Sequence, residues 1–242
     1  MARLRGPFGC LWDREQTHQS IKQHLIEEAY EVVDAIDRKN FDHLKEELGD
    51  LLLQVVFHAQ IASEEGRFDI EDVLEDITTK LVRRHPHIFG DVKVSSSQEV
   101  LENWESIKRG ESGRFLLAGI PRSLPALFHA LKLQEKAARV GFDWEEKEPI
   151  FEKLTEEIAE LKEACREEGR KKDEIGDILF TVVNLARRLG VDPEDALRVV
   201  NAKFRRRFEF MEKRAKEERR SLESMSLEEK DRLWEEAKSL EK

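Results

Sequence analysis

The sequence predicts an all-α protein made of two tandem helical-bundle domains, and three observations support this. Glycine and proline are sparse, at 12 and 6 of 242 residues. Charged residues reach 39% and are mixed in sign at helical spacing, whereas alternating β-branched runs typical of strands are few. An ordered series of acidic, apolar and basic segments in the first half recurs in the second half, which indicates an internal duplication.

The duplication and the turn-forming residues define the expected boundaries. We assign the first domain to residues 1–105 and the second to residues 126–242. Residues 106–125 contain three glycines and two prolines, which is typical of a linker. Each domain holds roughly 110 residues and is large enough to bury its own core.

Caps and apolar spacing predict the helices of the first domain. A capping-box pattern at Asp13 opens a helix that extends to about residue 38. A second helix covers about residues 42–65, and Asp69 caps a third that ends before Pro86. An apolar stripe on the second helix predicts a core face, with Leu44, Leu48, Leu51, Leu52, Val55 and Ala59 as its members.

The second domain follows the same plan after an added helix at about residues 126–139. Asp192 and Pro193 mark the start of its third helix, as N-cap and first helical residue. Ser226 and Glu229 form a capping-box pattern at the start of a last, highly charged helix.

Each domain carries the same cluster of acidic residues on two long helices. A Glu-Glu-x-x-Glu run precedes a Glu-x-Gly-Asp run in both copies. Residues three or four apart share a helix face, so two packed helices would bring several carboxylates together. Such a group would repel and take up protons unless a hard divalent cation such as Mg²⁺ neutralised it. The two clusters comprise Glu27, Glu28, Glu31, Glu47 and Asp50, and then Glu156, Glu157, Glu160, Glu174 and Asp177.

A solvated acidic face is the main alternative, because Asp and Glu supply 52 of the 242 residues. The shared register argues for a metal site instead. Lys80 lies eight residues after Asp72, Lys203 lies eight residues after Asp195, and two arginines follow each lysine at the same offset. A solvated face has no reason to keep such a register.

Two glycines also occur at the same place in both acidic runs, at positions 49 and 176. A glycine inside a helix costs about 1 kcal/mol relative to alanine. It usually marks close packing or close approach of a ligand.

Further motifs accompany the acidic runs, namely Arg83-Arg84-His85-Pro86-His87-x-Phe89-Gly90-Asp91, Ile120-Pro121-Arg122-Ser123-Leu124-Pro125-Ala126-Leu127 and Val140-Gly141-Phe142-Asp143-Trp144. Together with the acidic runs they resemble the MazG family of nucleoside triphosphate pyrophosphohydrolases, over nearly the whole chain. The resemblance implies an all-α pyrophosphohydrolase fold, a homodimer, and a dependence on Mg²⁺, with Mn²⁺ as a substitute. It also implies hydrolysis of nucleoside triphosphates to monophosphate and pyrophosphate with broad base specificity, as in clearance of unwanted nucleotides from the cellular pool.

By position, the resemblance also implies roles for individual residues. The implied metal ligands are Glu28, Glu31, Glu47 and Asp50 in the first copy and Glu157, Glu160, Glu174 and Asp177 in the second. The implied phosphate partners, of which the lysines are also catalytic candidates, are Lys80, Arg84, Lys203 and Arg207. Glu27 and Glu156 are candidates for orienting the attacking water or a lysine, but the sequence singles out no general base.

Three further side chains are candidates for substrate binding. Arg170 and Lys171 lie in the turn before Glu174, where they would meet a triphosphate or remain in a solvated loop. Trp234 would stack on a nucleobase or form part of the core. The matching turn of the first copy holds His43 and Lys45 instead, so we expect the two sites to differ.

Composition and missing motifs exclude several other classes. The net charge of -10 argues against a nucleic-acid surface, and no apolar run is long enough for a membrane span. Two cysteines without zinc-like spacing favour a reduced, cytoplasmic setting. Phosphate-loop and dinucleotide-binding glycine motifs do not occur.

Two rival interpretations stay open on the sequence alone. A ferritin-like di-metal oxidase needs a Glu-x-x-His motif from each of two helices, and only Glu15-x-x-His18 fits. A non-catalytic helical interaction module would leave the acidic runs as solvated faces. It predicts that Mg²⁺ has no effect on stability.

Overall fold

The structure is a computed structural model that describes residues 1–112, 115–166 and 170–240. Within these ranges every regular element is helical, which confirms the all-α prediction. The chain forms two compact units, Met1–Gly113 and Arg114–Lys242. None of the described helices is both long enough and apolar enough to cross a membrane.

The first unit is organised around a pair of packed helices, α3 and α4. Helix α5 packs against α4 and is also contacted by α6 and α7. In chain order its helices are α1 (Ala2–Arg5), α2 (Leu11–Glu15), α3 (Lys22–Asp37), α4 (Phe41–Glu64), α5 (Ile70–Arg84), α6 (Pro86–Phe89) and α7 (Ser97–Ser112).

The second unit is organised around the corresponding pair, α9 and α10. Helix α8 packs against α10, and α11 contacts α8, α10 and α12. Its helices are α8 (Ala126–Ala138), α9 (Glu148–Ala164), α10 (Lys171–Arg188), α11 (Pro193–Glu217) and α12 (Leu227–Ser239), with a 3₁₀ turn at Leu222–Ser224.

Most predicted caps are present. The side chains of Asp69 and Asp192 each accept hydrogen bonds from backbone N–H groups two and three residues later. Ser226 and Glu229 form the predicted capping box of α12. Each satisfies backbone donors that a helix start would otherwise leave without partners.

The prediction of one continuous helix from Asp13 to about residue 38 is wrong. Helix α2 ends at Glu15, and α3 begins only at Lys22. Between them, the Ser20 hydroxyl accepts a hydrogen bond from the Thr17 backbone N–H at 2.9 Å, and the Thr17 hydroxyl accepts one from Ser20 N–H at 3.2 Å. Such local side-chain bonds compete with the helical hydrogen-bond ladder and favour a turn.

Helix α7 extends to Ser112 and so enters the segment 106–125 that the sequence analysis treated as linker. Gly110 lies inside this helix. Glycine lowers helix propensity without preventing a helix, so Gly110 does not end α7.

The core face of α4 differs from the predicted apolar stripe. Leu48 and Leu52 are 50% and 60% exposed, whereas Phe57 and Ile61 are buried and pack with Ile21. The face of α4 that lies inside the unit also carries buried Glu47. The acidic residue therefore turns inward, and part of the leucine stripe remains on the surface of a single chain.

Candidate metal centres

The first carboxylate cluster is formed where α3 and α4 pack together. Glu28 comes from α3, and Glu47 and Asp50 come from α4. One carboxylate oxygen from each of the three lies within 4.8 Å of the others. Glu47 and Asp50 are three residues apart on one helix, so they face α3 together.

Electrostatics in this cluster indicate a site that favours positive charge. Burial, followed by the charges of Asp50 and Glu31, raises the pKa of Glu28 above its ordinary value. Burial and the charge of Glu31 also raise the pKa of Glu47, while His43 acts in the opposite direction. His43 contacts Glu47 directly, with 2.9 Å between Nδ1 and Oε1.

The second cluster repeats this arrangement on α9 and α10. Carboxylate oxygens of Glu157, Glu174 and Asp177 lie within 4.8 Å of one another, and the first two residues are buried. Burial, followed by the charge of Glu157, raises the pKa of Glu160 above its ordinary value. Glu160 lies one turn beyond Glu157, as Glu31 does beyond Glu28.

Lys153 is the basic partner of the second cluster. Its Nζ lies 2.7 Å from Glu157 Oε1 and 2.8 Å from Glu156 Oε1. Hydrogen bonds to Glu156 and Glu157, in that order of importance, raise the pKa of Lys153 well above its ordinary value. One ammonium group thus joins a candidate metal ligand to the neighbouring carboxylate.

The donor set fits a hard divalent cation. Glu157 Oε2 is buried and has no hydrogen-bond partner. Such an atom is costly unless something positive binds it, because a buried carboxylate oxygen loses its water. Carboxylate oxygens are the ligands that Mg²⁺ and Ca²⁺ prefer.

Not every predicted ligand lies inside the closest group. Of the eight predicted residues, six form the two groups of three. Glu31 and Glu160 are exposed. Both interact with the groups of three, since, after burial, the charge of Glu31 contributes to the raised pKa values of Glu28 and Glu47, and the charge of Glu157 contributes to that of Glu160.

The two candidates for orienting water lie at the exposed edge of each cluster. The Glu27 and Glu156 side chains are 65% and 57% exposed. His24 Nδ1 lies 3.0 Å from Glu27 Oε2, and Lys153 holds Glu156 in the matching position. Each carboxylate thus contacts a basic side chain three residues earlier and remains accessible.

The predicted phosphate partners lie on helices that pack beside the carboxylate helices. Lys80 is exposed on α5, which packs against α4, and Lys203 is half-buried on α11, which contacts α10. Arg170 and Lys171 are exposed at the start of α10.

Each unit also contains an arginine stacked on a tryptophan, and the two arginines lie at matching positions of α5 and α11. The Arg84 guanidinium lies 5.0 Å from the centre of the Trp104 ring, and that of Arg207 lies 5.3 Å from the Trp234 ring. Trp234 also packs against the core residue Leu233 and its neighbours, so it has a structural contact in addition to its predicted role.

Sequence reasoning missed three residues of this region. Lys153 could have been found from the sequence, because it lies three and four residues before Glu156 and Glu157, on the same helix face. Trp104 carries no such signal, because it lies 20 residues after Arg84 whereas Trp234 lies 27 residues after Arg207. Glu111, which binds Arg84 at 2.5 Å, lay in the assumed linker and gave no signal.

The two helical glycines have no packing explanation within this chain. A Cβ built on Gly49 or on Gly176 would meet no atom within 4 Å outside the local helix. Close packing inside a single chain, one of the two expectations for these positions, is therefore wrong.

Comparisons with known proteins match the same two segments. A family model described as the MazG nucleotide pyrophosphohydrolase domain matches residues 16–89 and 145–211. A Thermotoga maritima protein named nucleoside triphosphate pyrophosphohydrolase/pyrophosphatase MazG is 50% identical over 241 residues, covering 98% of this chain and 92% of that protein. The Escherichia coli K12 nucleoside triphosphate pyrophosphohydrolase is 46% identical over 250 residues, covering 100% and 95%. Uncharacterized protein YabN of Bacillus subtilis is 54% identical over 245 residues, covering 99% of this chain and 50% of that protein.

Proposed function

The chain belongs to the MazG family, and we propose that it hydrolyses nucleoside triphosphates to a monophosphate and pyrophosphate in a Mg²⁺-dependent reaction of broad base specificity. As a family member it is a hydrolase of the nucleoside triphosphate pyrophosphohydrolase class. The observation that carries the Mg²⁺ proposal is the doubled carboxylate cluster, with three ligand oxygens within 4.8 Å in each unit. Clearance of unwanted nucleotides is the cellular role that follows from broad specificity.

The residues that would hold the ion are those of the two clusters, with Glu31 and Glu160 adjoining them. A bound divalent ion neutralises charge on the triphosphate and polarises the phosphorus that water attacks. The raised pKa values of Glu28, Glu47 and Glu160 support this assignment, because burial, and then neighbouring carboxylates, disfavour an ionised form that a bound cation would stabilise.

The basic residues on α5 and α11 would neutralise the outer phosphates. Release of pyrophosphate builds negative charge on the leaving group, so nearby cations lower the barrier. The guanidinium forks of Arg84 and Arg207 suit phosphate oxygens, and Lys80 and Lys203 lie one helical turn earlier on the same helices.

Glu156 and Glu27 are the carboxylates best suited to orient the attacking water. Each remains accessible beside its cluster, and each contacts a basic side chain, His24 for Glu27 and Lys153 for Glu156. We assign Lys153 a positioning role, since its two hydrogen bonds fix Glu156 relative to Glu157.

We further propose a homodimer. Single chains leave large apolar side chains exposed on the metal-bearing helices, among them Leu48 and Leu52 on α4 and Ile175 and Leu179 on α10. Contiguous exposed apolar surface of this kind is typical of protein interfaces. Light scattering at micromolar concentration should give twice the chain mass of 28.3 kDa, and a monomer mass would contradict the proposal.

The reaction is tested by the products and by the position of bond cleavage. With Mg²⁺, several nucleoside triphosphates should yield monophosphate and pyrophosphate, and ¹⁸O from labelled water should appear in the monophosphate. An analogue with a non-hydrolysable link between the α- and β-phosphates should resist, while one blocked between β and γ should react. Diphosphate and orthophosphate as products, or full activity in EDTA, would overturn the proposal.

A further inference from the structure

One carboxylate at the end of α7 binds two neighbouring arginines of α5. Glu111 Oε1 lies 2.7 Å from Arg83 Nε, and Glu111 Oε2 lies 2.5 Å from Arg84 Nη2. Arg84 Nε also donates to Oε1 at 3.3 Å, so Arg84 uses both nitrogens of one edge of its guanidinium group. A guanidinium binds two phosphate oxygens through such an edge, so a phosphate and Glu111 would compete for the same donors.

Trp104, also on α7, covers a face of the same guanidinium group. The Arg84 guanidinium carbon lies 5.0 Å from the centre of the Trp104 ring, and Lys108 Nζ lies 4.8 Å from it. The Arg84 side chain is 14% exposed, whereas that of Arg83 is 53% exposed. Little of Arg84 is therefore left for a ligand while Glu111 stays in place.

Arg84 has a second contact that does not involve Glu111. Stacking on a tryptophan also occurs at Arg207, the matching position of the second unit, where the distance to the Trp234 ring is 5.3 Å. A cation over the face of an indole ring is attracted by that ring. Removal of the Glu111 charge would therefore free the donors of Arg84 without releasing its side chain from Trp104.

Charge acts in the same direction as geometry. The hydrogen bond from Arg84 is the largest of the effects that lower the pKa of Glu111, so this carboxylate is ionised at neutral pH. The pKa of Arg84 is raised, chiefly by the same hydrogen bond, so the arginine is charged as well. A triphosphate that approaches Arg84 therefore meets a negative charge beside the positive one.

We propose that Glu111 sets the affinity of the first unit for phosphate groups, because it occupies the edge of Arg84 that would bind them. A triphosphate must displace Glu111 before Arg84 can hold it. The inference rests on the role of Arg84 in the proposed function, and it adds a residue that acts only through Arg84 and touches no reacting atom. Helix α7 thus supplies an internal competitor of the substrate.

The test titrates inorganic triphosphate into the ¹⁵N-labelled full chain in EDTA, so that neither a divalent ion nor turnover contributes. The indole N–H signals of Trp104 and Trp234 report binding beside Arg84 and Arg207, and they are assigned by their loss in Trp104→Phe and Trp234→Phe. Glu111→Gln should lower the dissociation constant measured at Trp104 about fivefold, the order expected when one partly exposed ion pair is removed. The dissociation constant measured at Trp234 should stay unchanged, which makes the second unit the internal control.

Further variants control for charge and for the route of the effect. Glu102→Gln removes the same charge from an exposed position of α7, where the carboxylate accepts a hydrogen bond from Gln98, and it should leave the affinity at Trp104 unchanged. Glu111→Asp keeps the charge and should bind triphosphate like the unchanged chain. In a chain that also carries Arg84→Gln, Glu111→Gln should produce no gain, because the donors that it frees are gone. If Glu111→Gln does not fold, Glu111→Ala takes its place, since alanine has the higher helix propensity.

An unchanged or weaker affinity at Trp104 in Glu111→Gln would refute the proposal, since an ion pair that only stabilises the fold does not oppose anion binding. An equal gain in Glu102→Gln, a gain that persists without Arg84, or no triphosphate binding at Trp104 in either chain would refute it too. The reaction products are measured separately. Release of pyrophosphate by the unchanged chain, without any gain from Glu111→Gln, would refute this inference and leave the proposed function standing, whereas diphosphate as product beside the expected gain would do the reverse.

Discussion

In the first unit the imidazoles of His24 and His43 contact the acidic cluster, whereas in the second unit the ammonium of Lys153 contacts it. The carboxylate geometry is the same in both, with ligand oxygens within 4.8 Å. An imidazole is charged only when protonated, while an ammonium is charged throughout the physiological range. The comparison teaches that the duplication preserved the carboxylates of the candidate sites, while the basic groups beside them diverged.

A second difference lies in what each basic group touches. His43 contacts the candidate ligand Glu47 and, at 3.9 Å, Glu46, while His24 contacts the candidate water-orienting Glu27. Lys153 contacts both kinds of carboxylate at once. The second unit therefore has a candidate metal ligand and a candidate water-orienting group linked through one side chain, and on this ground we expect it to be the more active site.

The largest expected effect tests this ranking directly. Glu174→Gln with Asp177→Asn should lower turnover about a hundredfold or more, the loss expected when a catalytic ion is no longer held. Glu47→Gln with Asp50→Asn should cost less. Rates are measured by pyrophosphate release.

Retained helicity and unchanged oligomer mass are the controls for both double variants. A dead first-unit variant beside a near-normal second-unit variant would reverse the ranking of the two sites. It would leave the proposed reaction itself intact.

A smaller effect is expected from the basic groups. Lys153→Gln should lower kcat/KM about tenfold, in the range seen when groups that orient metal ligands are removed. His24→Gln is the matched change at the corresponding position and should cost less, because His24 touches no candidate ligand. Equal losses from the two variants would contradict the proposed difference between the units.

Much of this comparison was available from the sequence. The repeated spacing of the glutamates, and of Lys80 and Lys203 within their segments, can be recognised from helical periodicity alone, and all of these residues do lie on helices. The helix caps at Asp69, Asp192 and Ser226 can also be predicted from the sequence, because a cap depends only on residues close in the chain. The contacts of Lys153 with Glu156 and Glu157 follow the same helical spacing and could have been predicted in the same way.

Other features depend on tertiary context that sequence patterns do not contain. The break after Glu15 results from a local competition between turn and helix, in which Thr17 and Ser20 side chains decide the outcome. The burial of Glu47 in place of Leu48 depends on how α4 is rotated against α3. A cavity around Gln134 in the second unit arises where the stretch 133–144 meets α10 and Leu117, an arrangement that only the packing of α8 on α10 creates.

Metal binding should also change how stability depends on pH. The raised pKa values of Glu28, Glu47 and Glu160 mean that the folded, metal-free protein keeps protons at pH values where an unfolded chain has lost them. By themselves these groups therefore stabilise the folded state less as pH rises above their unfolded pKa. Mg²⁺ must displace those protons at low pH and finds free carboxylates at high pH.

The increase in Tm caused by Mg²⁺ should accordingly be larger at about pH 8 than at about pH 5. At an ion concentration a hundredfold above Kd, we expect about 5 to 10 °C at the higher pH. Differential scanning calorimetry with Mg²⁺ and with EDTA measures it. No shift at either pH would favour the non-catalytic interaction module instead.

The smallest expected effect concerns the caps of the two corresponding helices, α5 and α11. Asp69 and Asp192 accept the same pair of backbone hydrogen bonds, at 2.8 and 3.2 Å and at 2.9 and 3.0 Å. Replacing either by alanine should therefore lower the free energy of unfolding by about 1 kcal/mol. Asp192→Ala should cost slightly less, because Pro193 still fixes the first helical residue in the required conformation. Urea denaturation measures both, with Asp76→Ala in the middle of α5 as the control for loss of charge alone. A larger loss from Asp192→Ala than from Asp69→Ala would show that the proline does not compensate, and that the two helix starts differ more than their shared hydrogen bonds indicate.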